Sequence, residues 1–426
     1  MKKRISYRIL ALLIALLISL TSLTACSSLL FGGPQNDFDP ENATDFSELE
    51  LIDQLFKSLS LFELDEDALM EAVLKGYVEG TGDKYAEYFT AEEYEQFTSS
   101  NQGETVGVGI SVIQNVEHSC IEIINVIPES PAMKAGVLPG DLIVYIGIGE
   151  NKQSVSALGY TNSLDKLVGD VGSLAEFVVL RDGEEIEFSI AREKVNFVSV
   201  TSRVCSIEGY EKVGIVRITE FNLTTPTDFE KEVDKLIALD CDKFIFDVRY
   251  NPGGDLESIK AVLSYFLNNG DTVIRIVDKN GKETSQKIEP VEHKGDYKGC
   301  SIDKKDIGKY RDLDFAVLTN GSTASAAELF TSVLMDYKLS LTVGTKTYGK
   351  GTMQTTYSLA RYGYSGAIKL TTKYYNPPIS DSYEGKGITP DIVEELDEAL
   401  ENVNIYKITD EEDNQLRRAI EELYKK

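Results

Sequence analysis

Phe244-Ile245-Phe246-Asp247-Val248-Arg249-Tyr250-Asn251-Pro252-Gly253-Gly254 is the stretch on which the fold turns. Its first half is a short run of bulky apolar residues without polar alternation, the pattern of a strand buried on both faces. A proline and two glycines stop the strand in a tight turn. Residues 256–267 then read as a helix. Outward from this unit the same alternation continues. Residues 213–218 read as a strand, and 226–239 as a helix with Phe229, Val233, Leu236 and Ile237 on one face. A second buried strand is predicted over 315–318, a helix over 326–335 and a strand over 341–343. Strands alternating with helices predict an α/β sheet with crossover helices across residues 210–393. The hydrophilic stretch 278–309 reads as an excursion loop.

Upstream the pattern changes twice. Residues 47–102 read as helical. Ile52, Leu55, Phe56 and Leu59 recur at helical spacing, as do Met70, Val73, Leu74 and Tyr77, and Thr90 with Glu93 is a capping-box signal. A homodimer contact is one expectation for such a region. Residues 103–194 carry short strand patterns punctuated by glycines, at 108–113, 121–126, 142–146, 177–180 and 186–190. Arg181-Asp182-Gly183-Glu184 is a hairpin signal between the last two. Residues 131–135 read as a short helix ended by Gly136, and residues 394–426 as an acidic, helical tail.

The first residues are an address. Lys2, Lys3, Arg4 and Arg8 precede a short apolar run, and Leu23-Thr24-Ala25-Cys26 follows. A charged start, a short apolar core and a small-residue cleavage site predict a signal peptide over residues 1–25. The ending resembles a bacterial lipoprotein signal, which implies cleavage before Cys26 and a lipid on its sulfur. A diacyl anchor holds a protein stably where one chain does not. A tether over 26–46 and an extracytoplasmic, membrane-anchored location follow.

Composition excludes several classes. The 426 residues hold 43 basic and 70 acidic side chains, a net charge of −27, which argues against nucleic acid as a partner. Only His118 and His293 exist, so a multi-histidine metal centre and a Ser-His-Asp triad are both disfavoured. Cys120, Cys205, Cys241 and Cys300 are widely and irregularly spaced and are expected as free thiols.

Three short segments hold the chemistry. In the first, Gly253 and Gly254 end a strand and let backbone N–H groups approach a ligand, the requirement of an oxyanion site. The second is Asn320-Gly321-Ser322-Thr323-Ala324-Ser325-Ala326-Ala327-Glu328. A serine opening a helix there meets free N–H groups and the positive end of the helix dipole. Ser322, Thr323 and Ser325 compete for that place. The third is Thr347-Tyr348-Gly349-Lys350-Gly351-Thr352-Met353-Gln354. Buried between glycines, Lys350 would lose its charge readily and accept a proton from a serine. Gln354 follows four residues on.

Together these segments resemble the C-terminal processing peptidases, also called tail-specific proteases, which use a Ser/Lys pair. Their Asn-Pro-Gly-Gly turn, small-residue serine motif, Gly-Lys-Gly and glutamine occur here in order, with Ser325 and Lys350 25 residues apart. Ala327 stands where the family has a second serine. Gly385-Lys386-Gly387-Ile388-Thr389-Pro390-Asp391 resembles the closing motif, and the Gly82-Asp83-Lys84-Tyr85 turn the N-terminal region. Gly107-Val108-Gly109-Ile110, Ser130-Pro131-Ala132 and Leu138-Pro139-Gly140-Asp141 resemble a PDZ domain. The resemblance implies an α/β, multidomain (α+β) chain: N-terminal helices over 47–102, a PDZ β-module over 103–194 and a crotonase-like serine peptidase core over 195–393.

It further implies Ser325 as nucleophile, Lys350 as general base, Gln354 as its orienting residue, and an oxyanion hole from Ala326 with Gly253 or Gly254. The loop of Gly107, Val108, Gly109 and Ile110 would take the C-terminal carboxylate of a protein or peptide substrate. No metal or cofactor is required. The competing readings are a catalytically inactive PDZ scaffold and another hydrolase on the same fold.

Overall fold

The computed structural model describes residues 44–115, 118–400, 403 and 405–425. The expected signal peptide and the Cys26 anchor lie outside these residues, as does most of the tether.

Helices α1 (Ser47–Leu59) and α2 (Glu66–Gly80) open the described chain, followed by strand β1 (Glu87–Phe89) and helix α3 (Ala91–Asn101). The Thr90 hydroxyl accepts from the Glu93 N–H, and the Glu93 carboxylate accepts from the Thr90 N–H, completing the expected capping box. Residues 87–89 depart from the helical expectation for 47–102. They pair with residues 367–369, far along the chain. Three residues are too few to show a period of two, so only the distant partner defines this strand.

The second unit is built from β2 (Glu104–Gly107), β3 (Ile110–Asn115), β4 (Cys120–Val126), α4 (Pro131–Ala135), β5 (Leu142–Ile146), β6 (Gln153–Ser154), α5 (Val155–Leu158), α6 (Tyr160–Leu167), β7 (Leu174–Arg181), β8 (Glu184–Ala191) and β9 (Glu193–Asn196). Its sheet runs β3-β4-β5-β7-β8, leaving β3 on an edge. Ile121, Ile123, Ile143, Phe177 and Val179 are fully buried beneath it. The β7–β8 turn places both Asp182 and Gly183 at positive φ, the two-residue turn that matches strand twist. Strands β2 and β9 pair with each other, so the unit's entry and exit lie side by side.

The core follows: β10 (Val200–Val204), β11 (Val213–Ile218), α7 (Thr225–Ala238), β12 (Lys243–Asp247), α8 (Leu256–Ser264), β13 (Thr272–Asp278), β14 (Glu283–Lys287), β15 (Asp314–Thr319), α9 (Ala326–Asp336), β16 (Leu341–Gly344), β17 (Thr352–Ser358), β18 (Ala367–Asn376), β19 (Ile392–Val393) and α10 (Asn414–Leu423). The main sheet has the order β10-β11-β12-β15-β16-β19, parallel except for β10. Alternation along β12 sends Phe244 and Phe246 to one face and Ile245 to the other. The first face is covered by Phe229, Val233 and Leu236 of α7, Ile259 of α8 and Phe330 of α9, all fully buried. Each such side chain contributes roughly 1.5–3 kcal/mol relative to exposure. The opposite face is closed by Leu416, Ala419, Ile420 and Leu423 of α10. The last helix is therefore core, packed on Ile215, Ile245, Ala316 and Leu318.

A second sheet is centred on β18. Strand β17 pairs along one edge, while β1 and β13 share the other. Part of the stretch expected as an excursion loop instead forms the hairpin β13–β14, extending this sheet. Beyond it, Cys300 and Ile302 pack against Leu223 and Ala261. Cys120, Cys205, Cys241 and Cys300 are all buried, and none is in a disulfide. Among the described residues no helix is long and apolar enough to cross a membrane.

Candidate active site

Ser325 sits at the junction between the loop after β15 and the first turn of α9. Its backbone is at φ +55°, ψ −117°, a region L-residues rarely adopt. The residue is half-buried and stands at the end of the helix where free N–H groups cluster. The loop is held from below. Thr323 donates to the Val248 carbonyl at 2.9 Å, and the Ala324 N–H donates to the Asn251 carbonyl at 2.9 Å. The hydroxyl residues left in competition thus separate: Ser322 is exposed and Thr323 is buried in its own hydrogen bonds.

Asn251 is fully buried and organises the glycine turn. Its side-chain amide donates to the Ile218 carbonyl at 2.9 Å, and its Oδ1 accepts the Gly253 N–H at 2.8 Å. The Gly253 N–H is therefore occupied. A Cβ on Gly253 would stand 2.7 Å from Ser325 Cβ and 2.8 Å from Ala326 N, so only glycine permits this approach. The Gly253 carbonyl accepts from Phe221 N–H. A trans peptide then points the following N–H, that of Gly254, the opposite way. Among the described residues neither the Gly254 nor the Ala326 N–H has a hydrogen-bond partner.

The turn is anchored at its base by a buried ion network. Asp247 at the end of β12 accepts from Arg217 at 2.7 Å and from Arg249 at 2.9 Å, and Arg249 also meets Asp413, the N-cap of α10, at 2.7 Å. Burial pushes the Asp247 carboxyl up, but the two guanidinium groups outweigh it and hold the group well below the usual carboxylate range.

Lys350 lies in the loop between β16 and β17, half-buried. Its Nζ stands 4.3 Å from the centroid of the Tyr85 ring and makes no hydrogen bond or ion pair among the described residues. Burial lowers its pKa from the ordinary lysine value. Lys369 and Lys84 push the same way, against Glu384 and Asp83. The amine is thus not hydrogen-bonded to Ser325. The two residues are joined through their backbones instead: both N–H groups donate to Glu328, from Ser325 at 2.9 Å and from Lys350 at 2.8 Å. Glu328 is fully buried and also accepts from Thr347 Oγ1 and the Gly349 N–H.

Gln354 makes no hydrogen bond to the Lys350 amine among the described residues either. Its Nε2 donates to the hydroxyls of Thr352 and Thr371. Tyr375, buried, donates from its hydroxyl to the Lys350 carbonyl at 2.7 Å. Burial raises its pKa. The histidines are elsewhere: His118 bonds Asn115, and His293 is 3.4 Å from Glu257.

The second unit has its own concave edge. The carbonyls of Val108 and Gly109 accept from Ala132 and Ile127 N–H groups. The N–H groups that follow them, of Gly109 and Ile110, turn outward. Gly109 is at φ +85°, and a Cβ there would lie 2.2 Å from Ser130 Cβ. Beside this loop β3 offers an unpaired edge.

A sequence model of peptidase family S41 matches residues 212–394, the range that contains Gly253, Gly254, Ser325, Ala326, Lys350 and Gln354. That segment carries the S41 peptidase domain. It is a serine peptidase of the C-terminal processing type. A "Probable CtpA-like serine protease" of Staphylococcus aureus (strain COL) is 29% identical over 385 residues, covering 88% of this chain and 71% of the relative. Another of that name, from Staphylococcus epidermidis (strain ATCC 12228 / FDA PCI 1200), is 27% identical over 380 residues. Among solved structures, an S41 protease from Bacteroides fragilis NCTC 9343 is 16% identical, covers 91% of this chain and 99% of its own, and superposes with a TM-score of 0.55, a likeness of fold. For this S41 peptidase, sequence reasoning passed over Glu328, Tyr375, Tyr85 and Thr371. Glu328 alone carried a local signal, because Ser325 and Glu328 have capping-box spacing.

Proposed function

We propose that the protein is an endopeptidase that cleaves exported or envelope proteins and peptides, with Ser325 as nucleophile and Lys350 as general base. The reading is carried by the single Glu328 carboxylate that receives the N–H groups of both residues, since it brings two distant loops to one centre. In the proposed reaction neutral Lys350 takes the Ser325 hydroxyl proton as Oγ attacks the peptide carbonyl. The Lys350 side chain leaves the Tyr85 ring to do so; hydrogen bonds of a resting site commonly tighten only with substrate bound. The oxyanion receives the N–H groups of Ala326 and Gly254, the two without partners, rather than that of Gly253. The Lys350 ammonium returns its proton to the leaving amine. Water, deprotonated by the same amine, then hydrolyses the acyl-enzyme.

The unit at 103–194 acts as a PDZ domain in this reading. A substrate tail adds as a strand to the β3 edge, and its carboxylate meets the outward N–H groups of the Gly107–Ile110 loop, with apolar side chains facing Ile110, Val112 and Leu164. Cys26 bears the lipid that holds the enzyme at the outer side of the bacterial membrane. The exposed apolar residues Leu51, Ile52, Leu55, Phe56 and Leu59 of α1 meet a second copy of the chain.

The deciding experiment is hydrolysis of an unstructured peptide with an apolar C-terminus. Ser325→Ala and Lys350→Ala should each abolish it, while Lys346→Ala, on an exposed neighbour, should leave it largely intact. Full activity in Lys350→Ala would overturn the assignment of the base.

A further inference from the structure

We propose that the 82–86 turn of the N-terminal segment is part of the catalytic centre: Asp83 is a positioning residue that, through the Thr371 hydroxyl, fixes the orientation of the Gln354 amide. The inference rests on the reading of Lys350 as base and Gln354 as its orienting partner.

Asp83 Oδ2 accepts the Thr371 N–H at 2.8 Å, and its Oδ1 accepts the Thr371 hydroxyl at 2.9 Å and the Tyr85 N–H at 3.1 Å. An ionised carboxylate has only acceptors, so the Thr371 hydroxyl proton is committed to Asp83. The hydroxyl oxygen is then left to accept. Its remaining neighbour, at 3.1 Å, is the Gln354 amide, whose only donor is Nε2. The second Nε2 hydrogen faces the Thr352 hydroxyl at 3.2 Å. With its nitrogen held at both positions, the amide presents Oε1 as its unclaimed group, the acceptor that an amine requires.

Without Asp83 the threonine hydroxyl could rotate and either face of the amide would serve. Burial works against ionisation of Asp83, but the N–H groups of Thr371 and Tyr85 with the Thr371 hydroxyl outweigh it and hold the carboxyl below its ordinary value.

Two further contacts tie the same turn to the centre. Tyr85, two residues on, supplies the ring face under Lys350 Nζ. Strand β1, directly after the turn, pairs Glu87 with Lys369, two residues from Thr371 on β18. The turn is thus locked into the sheet that carries Gln354.

The test is steady-state hydrolysis of the same peptide by the full chain. Asp83→Asn and Thr371→Val should each lower kcat about ten- to a hundredfold with KM little changed, the scale of a misplaced catalytic group. In a Gln354→Ala background, Asp83→Asn should cost less than about twofold more, because its effect passes through that amide. Wild-type kcat in either single variant, or the full loss multiplied in the double variant, would overturn the proposal. Should Asp83→Asn fail to fold, Thr371→Val decides alone. Activity surviving in Lys350→Ala would instead fault the underlying base assignment.

Discussion

The backbone N–H groups of Ser325 and Lys350 donate to one and the same oxygen, Oε2 of Glu328, at 2.9 and 2.8 Å. A fully buried carboxylate with four donors around it is a rigid clasp between the first turn of α9 and the Gly349-Lys350-Gly351 loop. Glu328→Gln keeps the shape but turns an amide N–H2 toward N–H donors. It should destabilise the fold by about 1–3 kcal/mol, the cost of unpaired buried polar groups, and lower kcat. Urea unfolding beside peptide hydrolysis would measure both, and unchanged values would refute the clasp.

The pH profile follows from the surroundings of Lys350. Its amine must be neutral to accept a proton. Burial, then the charges of Lys369 and Lys84, lower its pKa, while Glu384 and Asp83 oppose them. Activity should therefore rise with pH through a midpoint below the free-lysine value of about 10.4. Lys369→Gln removes one repelling charge, so the amine protonates more readily and the rising limb of kcat/KM should move to higher pH. A shift to lower pH would contradict this electrostatic account.

Arg249 joins the glycine turn to α10 through Asp413 at 2.7 Å. Asp413→Ala leaves a buried guanidinium short of one partner and removes the cap of α10. A loss of about 3–5 kcal/mol is expected, readable by urea denaturation. Asp247, whose carboxyl is held far below its usual range, should behave differently. Its depressed pKa adds stability that is complete above the unfolded-state value and is lost progressively as the pH falls from there toward the folded-state value. Acid unfolding near pH 4–5 centred on this residue would disprove the assignment.

Recognition of a substrate tail is tested at Gly109. Its φ of +85° and its closeness to Ser130 leave no room for a side chain. Gly109→Ala should distort the loop and raise KM for peptides with a free apolar C-terminus. Amidating that terminus should do the same to the unaltered enzyme. Equal kcat/KM for free and amidated peptides would remove the tail from recognition.

Much of this was legible from residue order. The strand–helix alternation around Phe244–Val248 marked the α/β sheet, because strands buried on both faces carry short apolar runs and the Pro-Gly-Gly turn bounds this one. Ser325, Lys350 and Gln354 stood in short motifs, and Glu328 lay at capping distance from Ser325. Other parts had no local trace. Thr371 and Asp83 are 288 residues apart, and β1 exists only because β18 pairs with it. The positive φ of Ser325 arises from its loop being pinned to Val248 and Asn251, which no propensity of serine encodes. The free N–H of Gly254, rather than that of Gly253, depended on where the Asn251 side chain turned.

The helix that seals the underside of the main sheet is translated after every strand it covers. Until it docks, Leu318 and its neighbours lack their lid and Arg249 lacks its far acid. Neither the lower face of the main sheet nor the ion network beneath the glycine turn can therefore close before this late segment is made.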